Sequence, residues 1–180
     1  IDKPICFYGS SITHGGCAGR PALTYPAVVT RKLDASLINL GFSGNARGEE
    51  EIAQLIADMD LSAVMVEYDH NAPTAEFLYD THSRFIDIIR KALPEIPMIL
   101  MSGWYFKKWD LDDVIRRRDI VKATYDAAVR NGDKNIYFID GTAVYPEPDN
   151  ADFSADGIHP NDRGFARMAD KALEVLTQCM

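Results

Sequence analysis

Short apolar runs alternate with longer amphipathic stretches along nearly the whole chain. Five runs, Pro4 to Gly9, Ser36 to Phe42, Ala63 to Tyr68, Met98 to Ser102 and Asn135 to Asp140, are apolar on both faces, the pattern of parallel strands covered by helices on two sides. Around Tyr25 to Leu33, Glu49 to Met59, Ala75 to Leu93, Leu111 to Asn131 and Asp162 to Gln178, apolar positions recur with helical spacing instead. Pro94 and Pro97 stop one of these helices, and Asn131-Gly132 offers a C-cap to another. The alternation predicts one α/β domain over residues 1–180. Its form is a three-layer α/β/α sandwich around an open, flavodoxin-like, five-stranded parallel sheet with right-handed crossovers. Ligands of such sheets bind beyond the carboxyl ends of the strands, so residues proposed for chemistry should stand just after a strand.

Four segments meet that condition. Gly9-Ser10-Ser11-Ile12-Thr13-His14-Gly15 follows the first run directly. A serine at such a strand-to-helix turn projects its hydroxyl over the sheet edge, and its own N–H, at a helix N-terminus, can face a developing oxyanion. Ser11 is favoured over Ser10. The competing reading is that Ser10, Ser11 and Thr13 only cap a helix. A phosphate loop is set aside because the GxxxxGK[ST] spacing and its lysine are absent.

Asp156-Gly157-Ile158-His159-Pro160 lies after the fifth run and before the last helix. A serine hydroxyl needs an adjacent base, and the base needs a partner that fixes its tautomer; His159 and Asp156 have the types and spacing for that pair. Gly157 allows a tight turn and Pro160 turns His159 away from helical geometry. The alternative is a histidine that merely sits at a helix start, which Asn161 or Asp162 can cap. His14, three residues beyond Ser11, competes as base but has no carboxylate at comparable spacing. His82 reads as a packing or surface residue of a long helix. Asn39 to Asn45, rich in glycine, and Glu67 to Pro73, rich in polar groups, end the second and third runs. Gly44 through its N–H and Asn71 through its amide could donate to an oxyanion, although a glycine-rich strand-to-helix loop is also ordinary structure. Asp69 and His70 lack the further ligands that a metal site requires.

Composition narrows the partners. With 180 residues, 47% hydrophobic, the chain can bury a substantial core. A net charge of -8 argues against nucleic acid and anionic membrane surfaces. No apolar run is long enough to span a bilayer. Cys6, Cys17 and Cys179 are too few and odd in number for a disulfide framework; Cys6 reads as core and Cys17 as a loop residue. Ile1 stands directly before a strand, which leaves the compartment open between an exported chain with its signal removed and a cytoplasmic one.

In order and position, these four segments resemble the four blocks of the SGNH, or GDSL-like, hydrolases over Ile5 to Pro160. Gly9-Ser10-Ser11-Ile12-Thr13 is similar to the Gly-Asp-Ser-Leu block with Ser10 in place of its aspartate. The third block, Gly-x-Asn-Asp, has Asp69 for the glycine and Ala72 for the aspartate, departures that bear on loop shape and substrate preference. The resemblance implies a serine esterase without metal or cofactor. Ser11 would be its nucleophile, Asp156 and His159 the remaining members of the triad, and Ser11, Gly44 and Asn71 the oxyanion hole. Substrate contacts are expected from Asp69, His70, Trp104, Arg20 and Arg47. Trp104, Tyr105, Phe106 and Trp109 could stack on a sugar or pack beneath the loop, and Arg116-Arg117-Arg118 reads as a solvated helix face. A short acyl ester on a carbohydrate fits best. The rivals are a thioesterase or lysophospholipase with the same triad, and a flavodoxin-like binding module in which Ser11 and His159 meet by coincidence.

Overall fold

Five parallel strands, β1 (Ile5–Gly9), β2 (Leu37–Gly41), β3 (Ala63–Glu67), β4 (Met98–Met101) and β5 (Ile136–Ile139), lie in the order β2-β1-β3-β4-β5. The computed structural model describes residues 1–106, 108–145 and 149–180. Among the described residues, six α-helices connect or follow the strands: α1 (Ser11–His14), α2 (Tyr25–Lys32), α3 (Glu50–Ala57), α4 (Ala75–Ala92), α5 (Leu111–Arg130) and α6 (Asp162–Cys179).

Side chains of a strand point alternately to opposite faces, and that alternation divides the core in two. Ile5 and Phe7 of β1, Ala63 and Met65 of β3, and Ile99 and Met101 of β4 pack with α2 and α6. Cys6 and Tyr8, Val64 and Val66, and Met98 and Leu100 pack with α3, α4 and α5 on the other side. The three inner strands are buried throughout, as runs apolar on both faces require. β2 departs from that expectation: it is an edge strand with only β1 beside it, and Leu37 is 38% exposed.

Register aligns the ends of the strands. Gly9 pairs with Gly41 on one side and Glu67 on the other, so the loops after β1, β2 and β3 leave the sheet side by side. Gly9 is required for close approach rather than for an unusual dihedral angle. A Cβ there would come within 2.2 Å of both the Glu67 carbonyl oxygen and Thr13 Oγ1, so any side chain would push α1 off the sheet.

Candidate active site

The turn from β1 into α1 separates its two serines by role. Ser10 has extended backbone angles and its Oγ accepts from the Ile12 N–H at 3.1 Å, which makes it the N-cap of α1. Ser11 is the first helical residue. Its N–H is among those an α-helix leaves without an internal acceptor, and its hydroxyl is free to look outward. Ser11 Oγ lies 2.9 Å from His159 Nε2, and His159 Nδ1 lies 2.8 Å from Asp156 Oδ2. His14 is exposed, and His82 is buried in α4 with its ring nitrogen 2.8 Å from Thr124 Oγ1.

The segment that presents His159 is held by its own short bonds. Asp156 Oδ1 accepts from the Ile158 N–H at 2.8 Å and the His159 N–H at 2.7 Å, while Gly157 supplies the turn with φ of +83°. Ser154 Oγ donates to the His159 carbonyl at 2.9 Å and accepts from the Gly157 N–H at 2.7 Å. The Lys108 ammonium donates to the Asp156 carbonyl. Asn161, not Asp162, caps α6, accepting from Gly164 N–H at 3.0 Å; Asp162 instead binds the Gly19 N–H at 2.7 Å. Desolvation pushes the Asp156 carboxyl up, but the hydrogen bonds from His159 and Ile158 outweigh it and hold the carboxyl down to about 2. An ionised Asp156 only accepts, so its neighbour Nδ1 carries the proton and the lone pair of neutral His159 sits on Nε2, facing Ser11.

Behind Ser11 stands Glu67, fully buried at the end of β3. Ser10 Oγ donates to both carboxyl oxygens at 3.1 and 3.0 Å, and Thr13 Oγ1 donates at 2.9 Å and meets Tyr25 Oη at 2.8 Å. Burial, then the charge of Asp69, raises the Glu67 carboxyl to about 8 against these hydrogen bonds, so the group is mainly protonated at neutral pH. Asn39 Nδ2 holds the other side of α1 through the Thr13 carbonyl at 2.8 Å. An acid closing an otherwise apolar run was the visible signal for Glu67; Thr13 was marked only as a possible helix cap, and nothing local marked Tyr25 or Asn39.

Gly44 and Asn71 arrive on neighbouring loops. The loop after β2 is tied to β1 by the Phe42 N–H on the Gly9 carbonyl at 2.8 Å, and Gly44 is exposed in its turn with φ of +73°. Asn71 closes a 3-10 turn, Asp69–Asn71. Its Oδ1 accepts from the Ala46 N–H at 3.4 Å, which orients the amide and leaves Nδ2 as the donor on its other side.

Residues 2–177 match the sequence profile of the GDSL-like lipase/acylhydrolase family. The chain belongs to this family. Among solved structures, a candidate GDSL-like lipase from Bacteroides ovatus ATCC 8483 has a TM-score of 0.89 and 29% identity, over 99% of this chain and 54% of its own. The salicylyl-acyltransferase SsfX3 from a tetracycline biosynthetic pathway has a TM-score of 0.85 and 22% identity, over 99% and 55%. A two-domain esterase, CEX, active on acetylated mannans, has a TM-score of 0.75 and 20% identity, over 98% and 50%. The chain thus spans about half the length of these structures. A search of curated proteins finds no match.

Other residues singled out in this GDSL-like chain lie in varied settings. Asp69 is 1% exposed and accepts from the Gly103 N–H at 2.7 Å, and Trp104 is fully buried, edge-on to Tyr145. Neither offers surface to a substrate, because the loop after β4 folds its aromatic residues inward; Phe106 stacks on Tyr145 and Tyr145 on Phe153. His70 is partly exposed, stacked on Trp109 at 4.5 Å between ring centroids, with Nε2 3.1 Å from the Trp104 carbonyl. Arg20 and Arg47 are exposed.

The arginine run is not one solvated face. Arg117 is buried and donates to the Asp69 and Ala72 carbonyls at 2.7 and 2.8 Å, bracing the turn that carries Asn71. Its length and five donors let it reach backbone acceptors inside the fold. A groove of about 710 Å³ between α4 and α5, lined by Tyr79, Ile115, Arg116 and Ile120 among others, holds none of Ser11, Asp156 and His159. It lies along helices rather than at strand ends.

Proposed function

We propose that residues 1–180 form one hydrolase domain that cleaves a carboxylic ester through an acyl-enzyme on Ser11. The observation that carries this reading is the unbroken chain Ser11 Oγ, His159 Nε2, His159 Nδ1, Asp156 Oδ2, with contacts of 2.9 and 2.8 Å. His159 Nε2 takes the Ser11 proton as Oγ attacks the carbonyl carbon. The resulting oxyanion is held by the Ser11 and Gly44 N–H groups and the Asn71 amide. His159 then protonates the departing alcohol, and in the second half it takes a proton from water, which releases the acid and restores Ser11. Asp156 stays ionised and stabilises the imidazolium of each step. No metal or cofactor enters these steps.

The substrate favoured is a short-chain, acetyl ester on a carbohydrate. Support comes from the fold shared with the esterase active on acetylated mannans and from Arg20, exposed after α1, and Arg47, exposed after β2, both suited to polar groups. A panel of p-nitrophenyl acetate, longer acyl esters, acyl-thioesters, lysophospholipid, acetylated xylose and acetylated mannan tests it. Release of acetate from the acetylated sugars, with activity falling as the acyl chain lengthens, is expected. Preference for thioesters or phospholipid would replace the substrate assignment, and hydrolysis of none, with tight binding of an unmodified small molecule, would favour the binding module.

A further inference from the structure

Cys17 is a nucleophilic side chain beside the site that ester hydrolysis leaves unused. Its Sγ, a ring nitrogen of His159 and a carboxylate oxygen of Asp156 all lie within 4.8 Å of one another. Ligand atoms around a tetrahedral Zn²⁺ stand roughly 3.5 Å apart, given Zn–S near 2.3 Å and Zn–N and Zn–O near 2.0–2.2 Å. Cys17 is exposed on the turn joined to α1 by the Gly16 N–H to the Ser11 carbonyl at 2.7 Å, so rotation of its side chain can close the remaining distance. We propose that Cys17, Asp156 and His159 form a binding site for Zn²⁺ whose occupation switches the hydrolase off.

The donor set selects the ion. One thiolate, one imidazole and one carboxylate suit Zn²⁺, with water as the fourth ligand, whereas Ca²⁺ and Mg²⁺ prefer oxygen ligands throughout. Asp156 Oδ2 keeps a lone pair for the metal while it faces the ring. Binding forms one Zn–S, one Zn–N and one Zn–O bond and breaks the Cys17 S–H bond, whose proton passes to water. Nothing is oxidised or reduced. If zinc takes His159 Nδ1, the proton of that nitrogen ends on Nε2, which can no longer accept from Ser11. The base is thereby lost, so the inhibitory half of the proposal rests on the role given to His159 above, while the binding half does not.

Sequence spacing hides the site, because Cys17 and His159 belong to opposite ends of the chain and meet only across the sheet edge. The test therefore reads binding and activity separately. Cadmium titration of the intact chain should produce an ultraviolet thiolate-to-cadmium charge-transfer band at one ion per chain, displaced by Zn²⁺ and absent in Cys17→Ser and in His159→Ala. Micromolar Zn²⁺ should slow p-nitrophenyl acetate hydrolysis by roughly tenfold or more, reversibly with EDTA. Cys17→Ser should keep basal hydrolysis and lose that sensitivity. Absence of the band in the unaltered protein, or equal zinc inhibition of Cys17→Ser, overturns the proposal. A band that needs Cys17 and His159 in a chain without hydrolytic activity upholds the metal site and overturns the esterase reading instead.

Discussion

Replacing Glu67 by Gln should change how stability responds to pH more than it changes stability at any one pH. The native carboxyl is raised to about 8 from an ordinary value of 4.5, so between these limits the folded state keeps a proton that the unfolded chain has released. Stability then falls as pH rises, by about 1.4 kcal/mol per pH unit and roughly 5 kcal/mol over the whole window. Below 4.5 the contribution is fully present; above 8 it has gone. His82 works in the opposite sense, since burial lowers it from 6.5 to about 4 and stability from that group is lost as pH falls between those values. The Glu67 effect is therefore cleanest from pH 6.5 to 8, where about 2 kcal/mol should disappear. Gln keeps an oxygen to accept from Ser10 and Thr13 but cannot ionise. Urea unfolding followed by circular dichroism at several pH values across that interval should give a falling curve for the unaltered protein and a flat one for Glu67→Gln. Parallel curves would refute the claim that this carboxyl is buried and protonated behind the serine.

Three further substitutions address the site directly. Asp156→Asn should leave the circular dichroism spectrum unchanged and lower kcat by roughly 10⁴, because an amide no longer fixes the Nδ1–H tautomer of His159. Asn71→Ala should cost about 3 kcal/mol of barrier, seen as a 10²–10³-fold loss in kcat with little change in KM; a loss confined to KM would remove Asn71 from the oxyanion site. Gly9→Ala places a Cβ 2.2 Å from the backbone oxygen of Glu67 and should destabilise by about 3 kcal/mol or more in denaturant unfolding.

Much of this molecule is legible in the order of its residues. The apolar runs mark all five strands to within a residue or two because each is short, nearly uniform in character and bounded by turn residues. Ser11, Asp156 and His159 stand out because strand ends are where this architecture places chemistry, and the structure brings their side chains into one hydrogen-bonded chain. What was not legible depends on tertiary approach. Arg117 sits among charged neighbours that read as solvated, yet it turns inward to two carbonyls. Trp104 and Asp69 follow strands, as site residues should, but the fold of the loop after β4 buries them. The partners of Glu67 are Ser10, at the turn before α1, and Thr13 within α1, which in turn meets Tyr25 of α2, and no local pattern records such a meeting.

Covalent trapping of the nucleophile bears most directly on the central claim. A fluorophosphonate added to the folded protein should give a single adduct by intact mass, mapped by peptide sequencing to Ser11 and missing from both Ser11→Ala and His159→Ala. An adduct on another residue, or labelling of Ser11 that persists unchanged without His159, would contradict it.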